Sequence, residues 1–474
     1  MVRLGRAMLL QVLLMLSATA APPQEFTRRA LALDGDWEFA LDPQRAGIAK
    51  GWHTGLHPLP HRCPVPGAWE AAGFGNATDR IWHSYTPTNA TMDELYHIGA
   101  GRNTSMGGLA WYRRNISLPP AADAGGGQLL FLRVGGVHRQ VTAYANGVYL
   151  GHHVGYLHEL EWDVTAAVAA AAAGGGSSLA VVLAVDSFHN MTIDPLIGPF
   201  DMGEIPSLNG RHPVGDGGLQ EGLSGPWGGV WGHVALEWRR PTWLAEAFAQ
   251  ATNATVVATA ALHGAAPIEG SGDQVQLEVF DCSTGQMVAT STAQLAHALD
   301  PATQRLSVRA IIPDADLKHW SPSAPALYNA TLTLLSPSVP GSLPAATDSL
   351  TVRFGVKDLR IVGHQFVLNG RKLFLSGYGM DSSFADTIAA PSDKAYYLPR
   401  WRLAKSFGFN FVRCHSAFYP PEFYAAADEV GMFVSPELPI IGDTYYSAAL
   451  RLNSTFAYHS TWRAVITRFR NHPS

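Results

Sequence analysis

Short runs of alternating hydrophobic and polar residues, separated by turn residues, fill the first half of the chain. FLRV (131–134), VTAYANGVYLG (141–151) and LAVVLAV (179–185) are of strand length, and Asn146-Gly147 is the dipeptide of a two-residue hairpin turn. Up to about residue 240 this pattern predicts an all-β sandwich. From 241 to 357 the runs VQLEVF (275–280), LSVRAII (306–312), NATLTLL (329–335) and SLTVRFGV (349–356) recur at regular spacing. Their number and spacing predict a seven-stranded immunoglobulin-like β-sandwich. After Asp358 the period changes. LFLSGY (373–378), FNFVRCH (409–415) and MFVSPELP (432–439) predict strands, while WRLAKSFG (401–408), EFYAAADEVG (422–431) and STWRAVITRFR (460–470) predict helices. Strands alternating with helices predict parallel βα units, with Gly408 and Gly431 as helix C-terminal caps.

Composition narrows the class. With 47% hydrophobic and 15% charged residues in 474, the chain buries several cores rather than remaining disordered. A net charge of -5 with no Lys/Arg cluster argues against a nucleic-acid partner. The three cysteines, Cys63, Cys282 and Cys414, are too few and too scattered to staple such a fold. Thirteen tryptophans are present, nine of them between residues 37 and 238; such rings suit sugar faces, yet more often fill cores.

The first 20 residues carry Arg3 and Arg6, the apolar stretch MLLQVLLML and the small residues Ala18-Thr19-Ala20, which predicts a secretory signal peptide. Asn-X-Ser/Thr acceptors stand at Asn76, Asn89, Asn103, Asn115, Asn190, Asn253, Asn329 and Asn453, eight of the thirteen asparagines. Ordinary Ser/Thr frequency would give roughly two, so a glycosylated protein of the secretory pathway is expected, secreted or lumenal, with a lysosome or vacuole included. No later segment reaches the 18 apolar residues of a membrane span, so no membrane partner is expected. Ala166–Ala173, ending in Gly174-Gly175-Gly176, reads as a low-complexity loop expansion.

Chemistry is expected at the C-terminal ends of parallel strands. That rule selects Gly377 to Asp381, Arg413 with His415, and Glu437. Arg413 supplies a fixed fork of donors, His415 a neutral donor or acceptor, and Glu437 a carboxylate; the same groups serve equally as a structural network in the rim. His57 and His61 have metal-ligand spacing, but Pro58 and Pro60 forbid the helix it needs. His152, His153 and His158 are expected at the surface, and Asp428 and Glu429 are expected to face solvent. There is no phosphate loop, nucleophile elbow or CxxC pair, and no cofactor is implied.

These motifs together resemble glycoside hydrolase family two, the β-galactosidase, β-glucuronidase and β-mannosidase group. LDGDWEFALDP (33–43), VPGAWE (65–70), AWYRRNISLP (110–119), ANGVYLGHHVGY (145–156), EWDVT (161–165) and GPWGGVWGHVALE (225–237) follow in that family's order. HWSPSAPALYNATLTL (319–334), FGVKDLRIVGHQFVLNGRKLFLSG (354–377) and 407–439 continue it. The resemblance implies a galactose-binding-like, jelly-roll sugar-binding domain at 21–240, an immunoglobulin-like sandwich at 241–357, and the N-terminal part of a TIM-barrel catalytic domain at 358–474. It implies a retaining β-glycosidase with a carbohydrate substrate, and family members often form homo-oligomers. The acid/base glutamate of the family follows an Arg-x-x-Asn-His-Pro-Ser stretch, here RFRNHPS (468–474), so both catalytic glutamates are expected beyond Ser474. A (β/α)8 barrel takes about 250 residues, so residues 358–474 are expected to hold the first three βα units of an incomplete barrel, inactive alone and unstable in its last third. Arg413, His415, Glu437 and Asp381 are then pocket-lining, substrate-binding residues. Two positions depart from the family: Arg413-Cys414-His415 replaces Arg-x-x-His-Tyr-Pro, and Asp381 occupies a histidine position. A non-catalytic carbohydrate-binding glycoprotein or pseudo-enzyme is the alternative reading.

Overall fold

A computed structural model of the protein describes residues 28–75, 108–118, 127–187, 227–264, 270–337, 342–380, 384, 387–414, 417–437, 459 and 461–474. The predicted signal peptide, Asp381, His415 and the acceptors Asn76, Asn89, Asn103, Asn190 and Asn453 lie outside the described residues.

In the first region a six-stranded antiparallel sheet runs in the order His61–Val65, Gly35–Leu41, Leu109–Ser117, Ser178–Asp186, Gln140–Ala145, Val148–Val154. It packs on a four-stranded sheet of Ala30–Ala32, Val234–Arg239, Leu129–Val134 and Leu160–Asp163. Inward residues of both sheets, among them Trp37, Tyr112, Val141, Leu183, Leu132 and Leu236, form one core. The hairpin at Asn146-Gly147 forms as predicted, with φ of 48° and 80°, the paired left-handed conformation that only Asn and Gly adopt cheaply. Ser178–Asp186 is buried on both faces because the loop after Leu41 folds over the sheet's outside. Asp42 fixes that loop by accepting from Trp111 Nε1 at 2.9 Å, Gly47 N at 2.7 Å and Ala46 N at 2.8 Å.

The second region is two four-stranded antiparallel sheets. One holds Trp243–Thr252, Thr255–His263, Arg305–Ile311 and Leu299–Asp300; the other holds Met287–Gln294, Gln274–Asp281, Tyr328–Pro337 and Pro344–Phe354. Strict alternation drives them: Gln274–Asp281 buries every second residue, sending Val275, Leu277 and Val279 into the shared core. Arg28 welds the two sandwiches. Its Nε and Nη2 donate to Asp348 Oδ1 and Oδ2, both at 2.7 Å, and its Nη1 to Glu237 at 3.1 Å. Leu244 N also donates to Asp348, at 2.7 Å, while Arg133 and Arg239 donate to Glu237 at 2.8 and 2.5 Å.

The third region begins with an antiparallel sheet of Leu359–Val362, Gln365–Leu368 and Arg371–Leu373, then a parallel sheet of Gly377–Met380, Phe411–Cys414 and Phe433–Pro436. LFLSGY therefore is not one strand. Asn410 breaks it: the carboxamide accepts from Ser376 N and donates to Phe374 O, both at 2.9 Å, holding the chain between two sheets. The helix Lys394–Ser406 starts where Asp393 caps Ala395 N at 2.9 Å. Gly408 and Gly431, with φ of 86° and 82°, close the helices Lys394–Ser406 and Pro421–Val430.

This sheet does not stand alone. Tyr156, Trp227 and Trp231 of the first sandwich share one apolar cluster with Tyr397, Trp401, Tyr419 and Phe423 of the βα region. Trp320 of the second packs edge-on to Phe433 at 5.1 Å, and its indole N–H donates to Asp428 O at 3.0 Å. Asn471 seats its carboxamide on Trp243–Thr252, donating to Ala247 O and accepting from Ala249 N, each at 3.0 Å.

Candidate functional site

The parallel sheet aligns Gly379, Arg413 and Ser435 across its three strands. In Phe411–Cys414, Val412 and Cys414 turn into the core, so alternation sends Arg413 outward. One residue beyond the next strand stands Glu437. Arg413 Nε and Nη2 donate to its two carboxylate oxygens, the Nη2 contact measuring 3.1 Å, which makes a fork-to-fork pair. With side chains 55% and 30% exposed, this pair is worth at most about 1 kcal/mol to folding, and its effect is to fix direction. Beneath it, burial and then the Glu437 charge push the Cys414 thiol up, so it stays protonated and is no nucleophile. Tyr378, packed on Phe409 at 5.2 Å, is pushed up by burial and then by Cys414. The structure thus brings Arg413 and Glu437 together. Asp381 and His415, outside the described residues, follow the strands Gly377–Met380 and Phe411–Cys414 directly in sequence.

Several expectations are corrected by tertiary contacts. Asp428 is buried, accepting from His472 at 2.6 Å and Ser474 N at 3.0 Å, and Glu429 pairs with Lys394 at 2.6 Å and Arg353 at 2.7 Å. Neither is a solvent-facing helix-end charge. His153 and His158 are half-buried and meet edge-to-face at 4.8 Å; burial, then His158, pushes His153 down to about 4. Only His152 remains exposed, bonded to Thr142 at 3.0 Å. Trp37, Trp69, Trp111, Trp227 and Trp231 are at most 1% exposed. Each ring buries roughly 150–250 Å², or about 4–6 kcal/mol of gross transfer free energy, so they are core and no sugar platform.

The contact between first sandwich and βα region holds charges that composition did not reveal. His233 bridges Asp34 at 2.6 Å and Glu422 at 3.3 Å, and the Glu422 hydrogen bond, then Asp34, raises it to about 9. Glu70 is 1% exposed and accepts from Gly228 N at 3.1 Å through both oxygens; burial pushes its carboxyl well above the ordinary range. Gly228 is obligatory there, since a Cβ would stand 1.9 Å from the Trp69 ring. Among the described residues no group of three His, Cys, Asp or Glu side chains could hold a metal, and no helix is long and apolar enough to cross a membrane.

The family model described as glycosyl hydrolases family 2, sugar binding domain, matches residues 31–193. A β-glucuronidase of Paenibacillus borealis is 22% identical over 470 residues, covering 96% of this chain and 67% of its own. A β-galactosidase of an Arthrobacter species is 30% identical over 165 residues, 33% of this chain and 15% of its own. The solved structure of Bifidobacterium dentium β-glucuronidase complexed with coumarin-3-O-glucuronide superposes with a TM-score of 0.69 at 21% identity, covering 95% of this chain and 68% of that one. At that identity it shows the fold alone. The chain spans about two thirds of the length of the β-glucuronidases it matches from end to end.

These alignments overturn the expectation of an incomplete barrel, while the two sandwiches expected before it are present. The likeness to solved β-glucuronidases runs through 95% of this chain as one multidomain, β-rich fold. The parallel sheet is covered without an eight-stranded closure, because Val412 and Cys414 share an apolar cluster with Trp227 and Trp231, and Phe433 shares another with Trp320.

Proposed function

We propose that the protein is a β-glycosidase of the family 2 type, hydrolysing O-glycosyl bonds at terminal β-linked sugars, with a glucuronide the first substrate to test. The observation that carries this is the likeness to a β-glucuronidase over 96% of this chain and 67% of that protein, with the Arg413–Glu437 fork at the C-terminal edge of the parallel sheet. A sugar at that rim meets a carboxylate whose oxygens are held in plane and accept hydrogen bonds from its hydroxyls, beside a guanidinium that donates to hydroxyl oxygens. In this reading Asp381 and His415 are also assigned to substrate binding. Hydrolysis with retention needs two carboxyl groups about 5–5.5 Å apart, one as acid/base and one as nucleophile. No described residue is assigned to bond cleavage; those at the rim bind and orient. Arg3, Arg6, the MLLQVLLML stretch and eight glycan acceptors support a working place in the secretory pathway.

The test uses protein purified from its native transcript and a panel of aryl β-glucuronide, β-galactoside and β-mannoside. Release of the aryl alcohol from at least one supports the proposal. A second reading, a non-catalytic carbohydrate-binding glycoprotein, is favoured by the sugar-binding-domain match at 31–193. Retention on glycan-coupled resin without hydrolysis of any panel member replaces the first reading by the second.

A further inference from the structure

We infer that Asn253 carries an N-linked glycan, a site that rests on the secretory reading above and extends it. Among the described residues three asparagines hold left-handed backbone: Asn146 with φ 48°, Asn253 with φ 52° and Asn369 with φ 50°. Two of them use their carboxamides inside the fold. Asn146 Oδ1 accepts from Ala180 N at 2.8 Å; Asn369 accepts from Asp358 N at 2.9 Å and donates to Trp320 O at 3.0 Å. Neither is followed by the Ser/Thr that a glycan acceptor requires.

Asn253 reverses both properties. It is the first residue of the two-residue turn joining Trp243–Thr252 to Thr255–His263, where Thr252 pairs with Thr255. The turn is pinned from below by Ile312 N, which donates to Ala254 O at 2.9 Å, while Asn253 itself is exposed at the apex. None of the described hydrogen bonds uses its carboxamide, and Thr255 supplies the acceptor hydroxyl two residues on. A bulky polar chain attached here extends past the end of the sheet from an exposed position.

Asn329 makes the contrast. It lies half-buried as the second residue of Tyr328–Pro337, paired with Phe280 and Arg353 on the two neighbouring strands, and Arg353 reaches from the sheet to Glu429 of the helix Pro421–Val430 at 2.7 Å. A glycan there would start from a half-buried position beside that contact. In the transfer at Asn253, the carboxamide nitrogen bonds to the anomeric carbon of an oligosaccharide carried on a lipid pyrophosphate. The carbon–oxygen bond to pyrophosphate breaks, the lipid pyrophosphate leaves, and one carboxamide proton passes to a base.

The protein secreted from a eukaryotic host is treated with peptide N-glycosidase in ¹⁸O-water and its peptides are weighed. The expected result is ¹⁸O-labelled aspartate at position 253 and unmodified asparagine at 329. Thr255→Val, which keeps a β-branched strand residue, should lose one glycan step of gel mobility, and Thr255→Ser should retain it. Unlabelled Asn253 with label at any other acceptor overturns the site while leaving the secretory reading standing. No label at any acceptor removes both.

Discussion

Replacing Asp348 by alanine removes the acceptor on which the two sandwiches are joined. The carboxylate is fully buried and receives three hydrogen bonds at 2.7 Å, two from Arg28 and one from Leu244 N. Breaking a buried ion pair by deleting one partner costs about 3–5 kcal/mol, because the other charge stays desolvated. Arg28 retains Glu237 at 3.1 Å, which places Asp348→Ala near the lower end, about 3 kcal/mol. For sandwiches of this size that lowers the melting temperature by roughly 6–12 °C. The double variant Arg28→Met/Asp348→Leu removes both charges and should recover about 1–2 kcal/mol relative to Asp348→Ala. Urea unfolding followed by tryptophan fluorescence reads all three proteins. A loss under about 1 kcal/mol for Asp348→Ala, or a double variant weaker than the single, would refute the pair as the joint between sandwiches.

Four further outcomes are expected. His233, raised to about 9 against an ordinary 6.5, adds stability that is full below about 6.5 and is lost as pH rises through about 9; His233→Ala should flatten that alkaline decline in a thermal-melt series. His153, lowered to about 4, favours the folded state when neutral, so its contribution is full above about 6.5 and falls away as pH drops toward 4; His153→Gln should soften acid unfolding. Arg413→Lys cannot keep both bonds to Glu437 and should reduce kcat/KM at least about tenfold while changing stability by under about 1 kcal/mol. Gly228→Ala drives a methyl to 1.9 Å from the Trp69 ring and should destabilise by about 1–3 kcal/mol or more, seen as a lower urea midpoint.

Both sandwiches were legible because their strands alternate every second residue, as in Gln274–Asp281, and because Asn146-Gly147 admits one turn. The two helix-closing glycines were legible for the same local reason. What stayed hidden depends on distant partners. Nothing near Asp428 or Glu429 announces His472, Lys394 or Arg353, and nothing around His153 and His158 announces that they pack on each other half-buried. The break in LFLSGY is set by Asn410, more than thirty residues on. At the candidate site, strand order and alternation marked Arg413 and Glu437, but only the folded chain shows them locked to each other.

The most direct test is the anomeric configuration of the first product. Protein from the native transcript is given an aryl β-glucuronide, and ¹H NMR spectra are taken within the first minutes of turnover. A double displacement yields the β-anomer first, with the α-anomer appearing only by mutarotation. Initial α-anomer would contradict retention, and an unchanged substrate spectrum across every β-glycoside in the panel would contradict the enzyme itself.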